Sequence, residues 1–201
     1  MKSLPERKVY WPLLLLIFML SMLSGCVVHS VNPFYTPEVL TEVPALYGSW
    51  MLRESVFKEG KGRSWTFSRD SIVIPGDKGR SAMLSARFFK INDMIMLDTM
   101  AAEPEEDASL WWTLHVSPMH TVSKVVAGEY ALKIIPLNAS WLEEAVKNKT
   151  VLLPCVWHEE QKTYLYTATS AEWVEFLKHY GNDPQAFPEN DAFVFERPPR
   201  E

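Results

Sequence analysis

Residues 82–99, AMLSARFFKINDMIMLDT, form the stretch of sequence that decides the fold. Ala82–Ile91 alternates loosely between apolar and polar side chains, and Met94–Thr99 is a second apolar run of strand length. Asn92-Asp93 lies between them, and such residues favour tight turns because their side chains hydrogen-bond to nearby backbone. The pattern therefore predicts two antiparallel strands joined by a tight turn.

Short segments of the same kind lie on both sides of this hairpin, and turn signals such as Pro75-Gly76 and Gly128-Glu129 separate them. Trp65 and Phe67 share one side of their segment because side chains alternate along a strand. Many short strands with tight turns are typical of an antiparallel sandwich or barrel, so we predict a mainly β domain. The other predicted strands are Ser49–Ser55, Arg63–Ser68, Ser71–Ile74, Leu110–Val116, Thr121–Ala127, Tyr130–Leu137, Lys162–Ala168 and Phe193–Arg197.

Two short helices interrupt the strand pattern. Ser140 followed by Glu143, and Thr169 followed by Glu172, both have the form of a capping box, in which a hydroxyl at the N-cap and an acid three residues later satisfy free backbone N–H groups. Gly181 is a natural C-terminal stop. The second helix carries an apolar stripe that we expect to pack on the sheet. This stripe consists of Trp173, Phe176, Leu177 and Tyr180.

Residues 1–25 have the three parts of a secretory signal. Lys2, Arg7 and Lys8 form a basic head, an apolar run begins at Leu13, and small residues precede Cys26. The apolar run is shorter than the ~20 residues that a membrane-spanning helix needs. A cleaved signal peptide is therefore expected in preference to a permanent span.

The end of this segment, Leu23-Ser24-Gly25-Cys26, resembles the lipobox of bacterial lipoproteins. The resemblance implies cleavage between Gly25 and Cys26, with acyl chains attached to Cys26 as a membrane anchor. In Gram-negative lipoproteins the next residue helps sorting, and Val27 favours the outer membrane. The expected organisation is a signal peptide (1–25), a lipid-anchored tether (26–45) and one β domain (46–201) in the cell envelope.

The charge balance excludes one class of partner. The chain has net charge −5, and residues 1–25 hold three basic side chains and one acidic, so the remainder carries net −7. An acidic body does not suit nucleic acid, which needs a basic face. With Cys26 acylated, Cys155 stands alone in an apolar stretch, where a buried thiol is favoured over a reactive one.

Gly48-Ser49-Trp50 resembles the G-x-W motif that opens the first strand of lipocalins. In that family the Trp lies across the barrel floor and a late Arg packs over it, a role that Arg197 would take here. The T-D-x-x-Y type loop of lipocalins is absent. A wider order of motifs is similar to uncharacterised lipocalin-like bacterial lipoproteins. These motifs are Asn32–Thr36, Leu46–Trp50, His120–Lys124, Trp141-Leu142 and Thr167–Leu177.

The abundance of aromatic residues suits a small apolar ligand in the barrel, and it suits a solid core equally well. The interior of a barrel of about eight strands can be filled by side chains or can hold one small ligand. If a ligand is bound, we expect its pocket to be lined by Trp50, Phe67, Phe88, Leu97, Trp112 and His120. The alternative is a structural or protein-interaction lipoprotein of the envelope, with no pocket.

The sequence holds no motif that predicts catalysis. It lacks a G-x-S-x-G nucleophile elbow and the H-x-H or H-x-x-x-H pairs of metal sites. His115 and His120 flank a turn at Pro118, but two histidines alone make a weak metal site. We therefore expect no enzyme activity, no metal and no cofactor other than the covalent lipid on Cys26.

Overall fold

The computed structural model describes residues 27–55, 62–76, 81–102, 119–160 and 162–198. The predicted lipidation and cleavage residues Cys26 and Gly25, the pocket candidate Trp112, and the predicted strand Leu110–Val116 lie outside the described residues.

The described chain contains strands, two α-helices and three short 3₁₀ helices. The 3₁₀ helices span Pro37–Val39, Pro44–Leu46 and Glu189–Asp191. The α-helices are α1 (Ala139–Lys147) and α2 (Ser170–Tyr180). The strands are β1 (His29–Ser30), β2 (Gly48–Glu54), β3 (Ser64–Phe67), β4 (Ser71–Pro75), β5 (Ser81–Ile91), β6 (Met94–Ala101), β7 (His120–Ala127), β8 (Ala131–Pro136), β9 (Cys155–His158), β10 (Thr163–Tyr166) and β11 (Phe193–Glu196).

The fold is a closed antiparallel barrel of eight strands, which confirms the predicted fold class. Its strands follow one another in the order β6-β5-β4-β3-β2-β11-β8-β7, and β7 pairs back with β6. The predicted hairpin is its longest pairing, from Leu84 opposite Ala101 to Ile91 opposite Met94. Asn92 takes a left-handed φ of 52° in the turn, a conformation that Asn tolerates better than most residues.

Three strands extend the sheet away from the barrel. β1 pairs antiparallel with β7, where Ser30 lies opposite His120, and pairs parallel with β10 on its other side. β10 in turn pairs antiparallel with β9. The predicted tether and the stretch around Cys155 thus contain the strands β1 and β9, which the sequence did not predict.

The two ends of the barrel differ. We call the floor the end where β2 begins at Gly48, where β5 turns into β6, and where β7 turns into β8. We call the opposite end the mouth; there β6 ends at Ala101 and β7 begins at His120. Gly48 has a φ of +108°, which an L side chain rarely adopts, so glycine at the G-x-W motif has a backbone reason.

Two hydrophobic clusters lie on the two faces of the sheet. One fills the barrel and includes Trp50, Phe67 and Phe195. The other lies outside the barrel, where apolar side chains on the outer face of β5, β6 and β7 meet α1 and α2. This outer cluster includes Phe89, Met96, Val122, Leu142 and Trp173. The apolar stripe of α2 therefore packs on the barrel as predicted.

The helix caps agree only in part with the sequence. Thr169 and Glu172 form the predicted capping box of α2, and both reciprocal hydrogen bonds are present. The prediction of Ser140 as the N-cap of α1 is wrong. Asn138 caps that helix, because its side-chain oxygen accepts from the backbone N–H of Trp141 at 3.1 Å. Ser140 therefore lies inside the helix, on its exposed side.

Candidate functional site

Trp50 and Arg197 pack against each other at the floor of the barrel. Trp50 is fully buried, and its indole N–H donates to the carbonyl of Leu46 at 2.8 Å. The guanidinium carbon of Arg197 lies 4.3 Å from the centroid of the Trp50 ring, the arrangement expected from the G-x-W motif. Arg197 also donates to the carbonyls of Ala45 and Tyr47. A cation over an aromatic face contributes about 0.5–2 kcal/mol, and these hydrogen bonds fix its position.

A packed lower layer lies directly above the floor. It contains four of the six residues proposed to line a pocket, namely Trp50, Phe67, Phe88 and Leu97, and each is at most 3% exposed. The ring centroids of Phe67 and Phe195 lie 5.7 Å apart, edge to face. The structure thus brings these four residues together, and it buries them against one another and their neighbours in the interior.

A second interior layer, the upper layer, lies one alternation step closer to the mouth. Because every second residue of a strand points inward, each buried residue of the lower layer has an inward neighbour two positions nearer the mouth. On β3, β4, β6 and β11 these neighbours are partly exposed, whereas Leu52 on β2 and Ala86 on β5 are still buried, and on β5 the partly exposed residue is Leu84, one step further towards the mouth. The upper layer consists of Trp65 (β3), Ile74 (β4), Leu84 (β5), Thr99 (β6), Thr121 (β7) and Phe193 (β11).

The upper layer is mostly apolar, with two polar features. The hydroxyl oxygens of Thr99 and Thr121 lie 2.7 Å apart on neighbouring strands. On the opposite wall, the Trp65 ring packs edge-on against Phe195, with centroids 5.1 Å apart. The indole nitrogen of Trp65 is buried and has no hydrogen-bond acceptor within the described chain. Leaving a buried donor unpaired costs about 1–3 kcal/mol, so such a group marks a place where an acceptor is missing.

His120 does not face the interior, contrary to the prediction that it lines the pocket. The inward residue at this position of β7 is its neighbour Thr121, so His120 lies on the outer face of the barrel. There its Nδ1 lies 2.8 Å from Oδ1 of Asp98, which is 3% exposed. The predicted strand Thr121–Ala127 did not show which of its residues face inward, and a shift of one residue exchanges the two faces of a strand.

Asp98 connects this pair to the N-terminal segment. Its Oδ2 accepts from the backbone N–H of Phe34 at 3.0 Å, so the carboxyl group binds His120 and the chain before β2 at the same time. Burial raises the pKa of the nearby Tyr35 hydroxyl above its ordinary value, and Asp98 raises it further. The contacts indicate that this group holds the N-terminal segment on the barrel.

Ser30 lies opposite His120, but its hydroxyl is already engaged. It donates to the carbonyl of Asn32 at 2.7 Å and accepts from the indole N–H of Trp173 at 2.9 Å. Ser30 is fully buried, so the three residues Ser30, His120 and Asp98 do not present a nucleophile to a substrate.

The described residues contain no group of three or more His, Cys, Asp and Glu side chains that could hold a metal ion. Within the same ranges, no helix is long and apolar enough to cross a bilayer. Cys155 is a free, partly buried thiol, and burial raises its pKa, which leaves less of the reactive thiolate at neutral pH.

The sequence did not identify Asp98 or the unpaired indole of Trp65 as site residues. Asp98 stands as a single acid in the apolar strand MIMLDT, which was a signal for a buried polar contact. Trp65 was placed on the same side as Phe67, but no sequence pattern shows whether an indole N–H finds an acceptor.

Comparison with known proteins adds no relative, because no family model, curated protein or solved structure matches this chain.

Proposed function

We propose that this chain is a lipid-anchored, lipocalin-like protein of the bacterial cell envelope that binds a small apolar molecule carrying a hydrogen-bond acceptor. The binding site is the upper layer of the barrel, above the packed residues Trp50, Phe67, Phe88 and Leu97. A floor covered by Trp50 and Arg197 and a partly exposed apolar layer beneath the mouth are the features that support a one-ended ligand site.

The unpaired indole N–H of Trp65 carries the proposal. An apolar cup alone would accept any apolar molecule, whereas a buried donor without an acceptor favours ligands that supply one. The acceptor of the ligand would reach the indole N–H of Trp65 when the ring turns towards the upper layer, and the apolar part of the ligand would contact Leu84 and Ile74. The two threonine hydroxyls across the layer offer a second polar contact.

The anchor is the second part of the proposal. The lipobox-like sequence ending at Cys26 supports acylation, and each buried methylene of an acyl chain contributes about 0.8 kcal/mol. Two or three chains then hold a protein on a bilayer without a membrane-spanning helix. Val27 supports the outer membrane as the location where the host has one.

A fluorescent probe that combines an apolar ring system with an acceptor tests the binding site. Anilinonaphthalene sulfonate would be titrated into the full protein in detergent micelles whose own signal is subtracted. Trp65→Phe keeps a six-membered aromatic ring and removes the N–H donor together with the pyrrole ring, and we expect an about fivefold weaker Kd, equivalent to about 1 kcal/mol. Trp157→Phe is the matched control, because Trp157 lies on β9 outside the barrel.

Native mass spectrometry of the protein from its host provides the second measurement. We expect a small molecule to be retained by the unsubstituted protein and by Trp157→Phe, and to be reduced in Trp65→Phe. If neither the probe nor a natural molecule distinguishes Trp65→Phe from the control, the ligand site is disproved. The envelope protein-interaction role would then be favoured.

A further inference from the structure

The N-terminal segment joins the barrel at the mouth end. Ser30 in β1 pairs with His120, the first residue of β7, and His120 also lies opposite Met100 near the end of β6. The pairing with β1 therefore lies in the half of the barrel that contains the mouth. The attachment point of the segment is fixed by backbone pairing and by the contact between Asp98 and Phe34.

The distance along the chain from this attachment to the proposed acylated residue is short. Cys26 precedes Ser30 by four residues, which span at most ~14 Å when fully extended. From His120 to Ala127, β7 runs seven residue steps towards the floor, or ~23 Å of strand. Acyl chains on Cys26 would thus reach the mouth end more readily than the floor.

The strands beside the attachment present apolar side chains to solvent. On β1, β10 and β9 the face turned away from the helices carries Leu165 and Val156, which lie opposite each other, and Val31 follows on the same side. Val156 is 59% exposed and Val31 46% exposed. Burial lowers the pKa of His29 on this face, so its imidazole favours the neutral form that apolar surroundings accept.

We infer that the mouth end of the barrel, together with this outward face of β1, β10 and β9, lies against the bilayer that holds the acyl chains. The ligand is accordingly an amphiphile dissolved in that bilayer, with an apolar body and a hydrogen-bond acceptor, and it exchanges between membrane and upper layer without crossing bulk water. The inference rests on the proposed acylation of Cys26. Because the body is acidic, the contact suits zwitterionic headgroups better than anionic ones.

Site-specific labels on the acylated protein in phosphatidylcholine vesicles test this orientation. In a Cys155→Ala background, a thiol-reactive fluorophore would be placed by Val156→Cys on the extension, by Met83→Cys near the mouth, or by Tyr130→Cys near the floor. All three native side chains are more than half exposed, at 59%, 51% and 67%. Nitroxide lipids in the vesicles quench fluorophores that lie at the membrane surface.

We expect a loss of fluorescence at positions 156 and 83 and no loss at position 130. Quenching at position 130 alone, or equal quenching at all three positions, would overturn the orientation. The orientation would also be overturned if an acylated protein floats with the vesicles and none of the three positions is quenched. Intact mass and flotation distinguish a wrong orientation from a missing anchor. If Cys26 carries no acyl chains, the proposed anchor itself fails and the orientation fails with it.

Discussion

Asp98 and His120 lie on neighbouring strands of the barrel, with Oδ1 of Asp98 2.8 Å from Nδ1 of His120. The pair lies on the outer face, under the N-terminal segment, where the second oxygen of Asp98 binds the backbone of Phe34. The same carboxyl group therefore connects two strands of the barrel with the segment that leads to the proposed anchor.

Replacing Asp98 should release that segment. We expect Asp98→Ala to lower the free energy of unfolding by about 1–3 kcal/mol, because the buried N–H of Phe34 loses its acceptor. Denaturant titration measures the loss, and hydrogen exchange should show a less protected Phe34 amide. Asp93→Ala is the matched control, since the side chain of Asp93 is fully exposed. Unchanged protection at Phe34 would contradict this role for Asp98.

Arg197 should contribute more to the stability of the fold than an arginine on the exposed surface, because it packs over the buried Trp50 ring. Arg197→Ala removes the contact with the Trp50 ring, and we expect a loss of about 0.5–2 kcal/mol in the free energy of unfolding. Arg53→Ala is a suitable comparison, because Arg53 pairs with Glu196 at 2.8 Å on the exposed surface and should contribute about 0–1 kcal/mol. Denaturant titration of both variants measures the difference, and equal losses would show that the floor contact adds nothing.

The capping box of α2 predicts a pH dependence with a definite sign. Backbone and side-chain hydrogen bonds from Thr169 hold the pKa of Glu172 below its ordinary value of 4.5. A depressed pKa means that the stabilisation is fully present above the ordinary value and is lost as the pH falls through the folded value. We expect Glu172→Ala to lower Tm at neutral pH and to lower it progressively less in acid.

Thermal unfolding over a series of pH values measures this difference. Glu175→Ala is its control, because Glu175 lies on the same helix, pairs with Lys178 on the surface and has no part in the cap. A Tm difference for Glu172→Ala that stays constant from neutral to acidic pH would argue against the carboxylate as the stabilising form.

Much of the barrel follows from the sequence, because alternation and turn residues act locally. The pairing of β5 with β6 needs only the turn at Asn92, and the floor needs only the spacing of Gly48 and Trp50 with a late arginine. Such features depend on residue types only a few positions apart, and a single sequence shows these directly.

The features of the structure that the sequence does not predict depend on contacts between residues far apart in the chain. β1 is only two residues long and exists because β7 and β10 lie beside it, so its own composition gives no strand signal. His120 and Thr121 are neighbours with opposite directions, and only the pairing with β6 decides which one faces inward. Likewise, the lack of an acceptor for Trp65 is a property of the assembled barrel.

The proposed anchor predicts a clear difference between the two cysteines of the chain. Cys26→Ser removes the thiol that would carry the diacylglycerol, so we expect the chain to keep its precursor mass and to carry no acyl chains. Cys155→Ser, the matched control, should be cleaved and acylated normally, because Cys155 lies in β9 of the folded domain. Intact-mass measurement and detergent partitioning of both variants from a bacterial host test the prediction. Identical mass shifts and partitioning for Cys26→Ser and the unsubstituted chain would show that acylation at Cys26 does not occur.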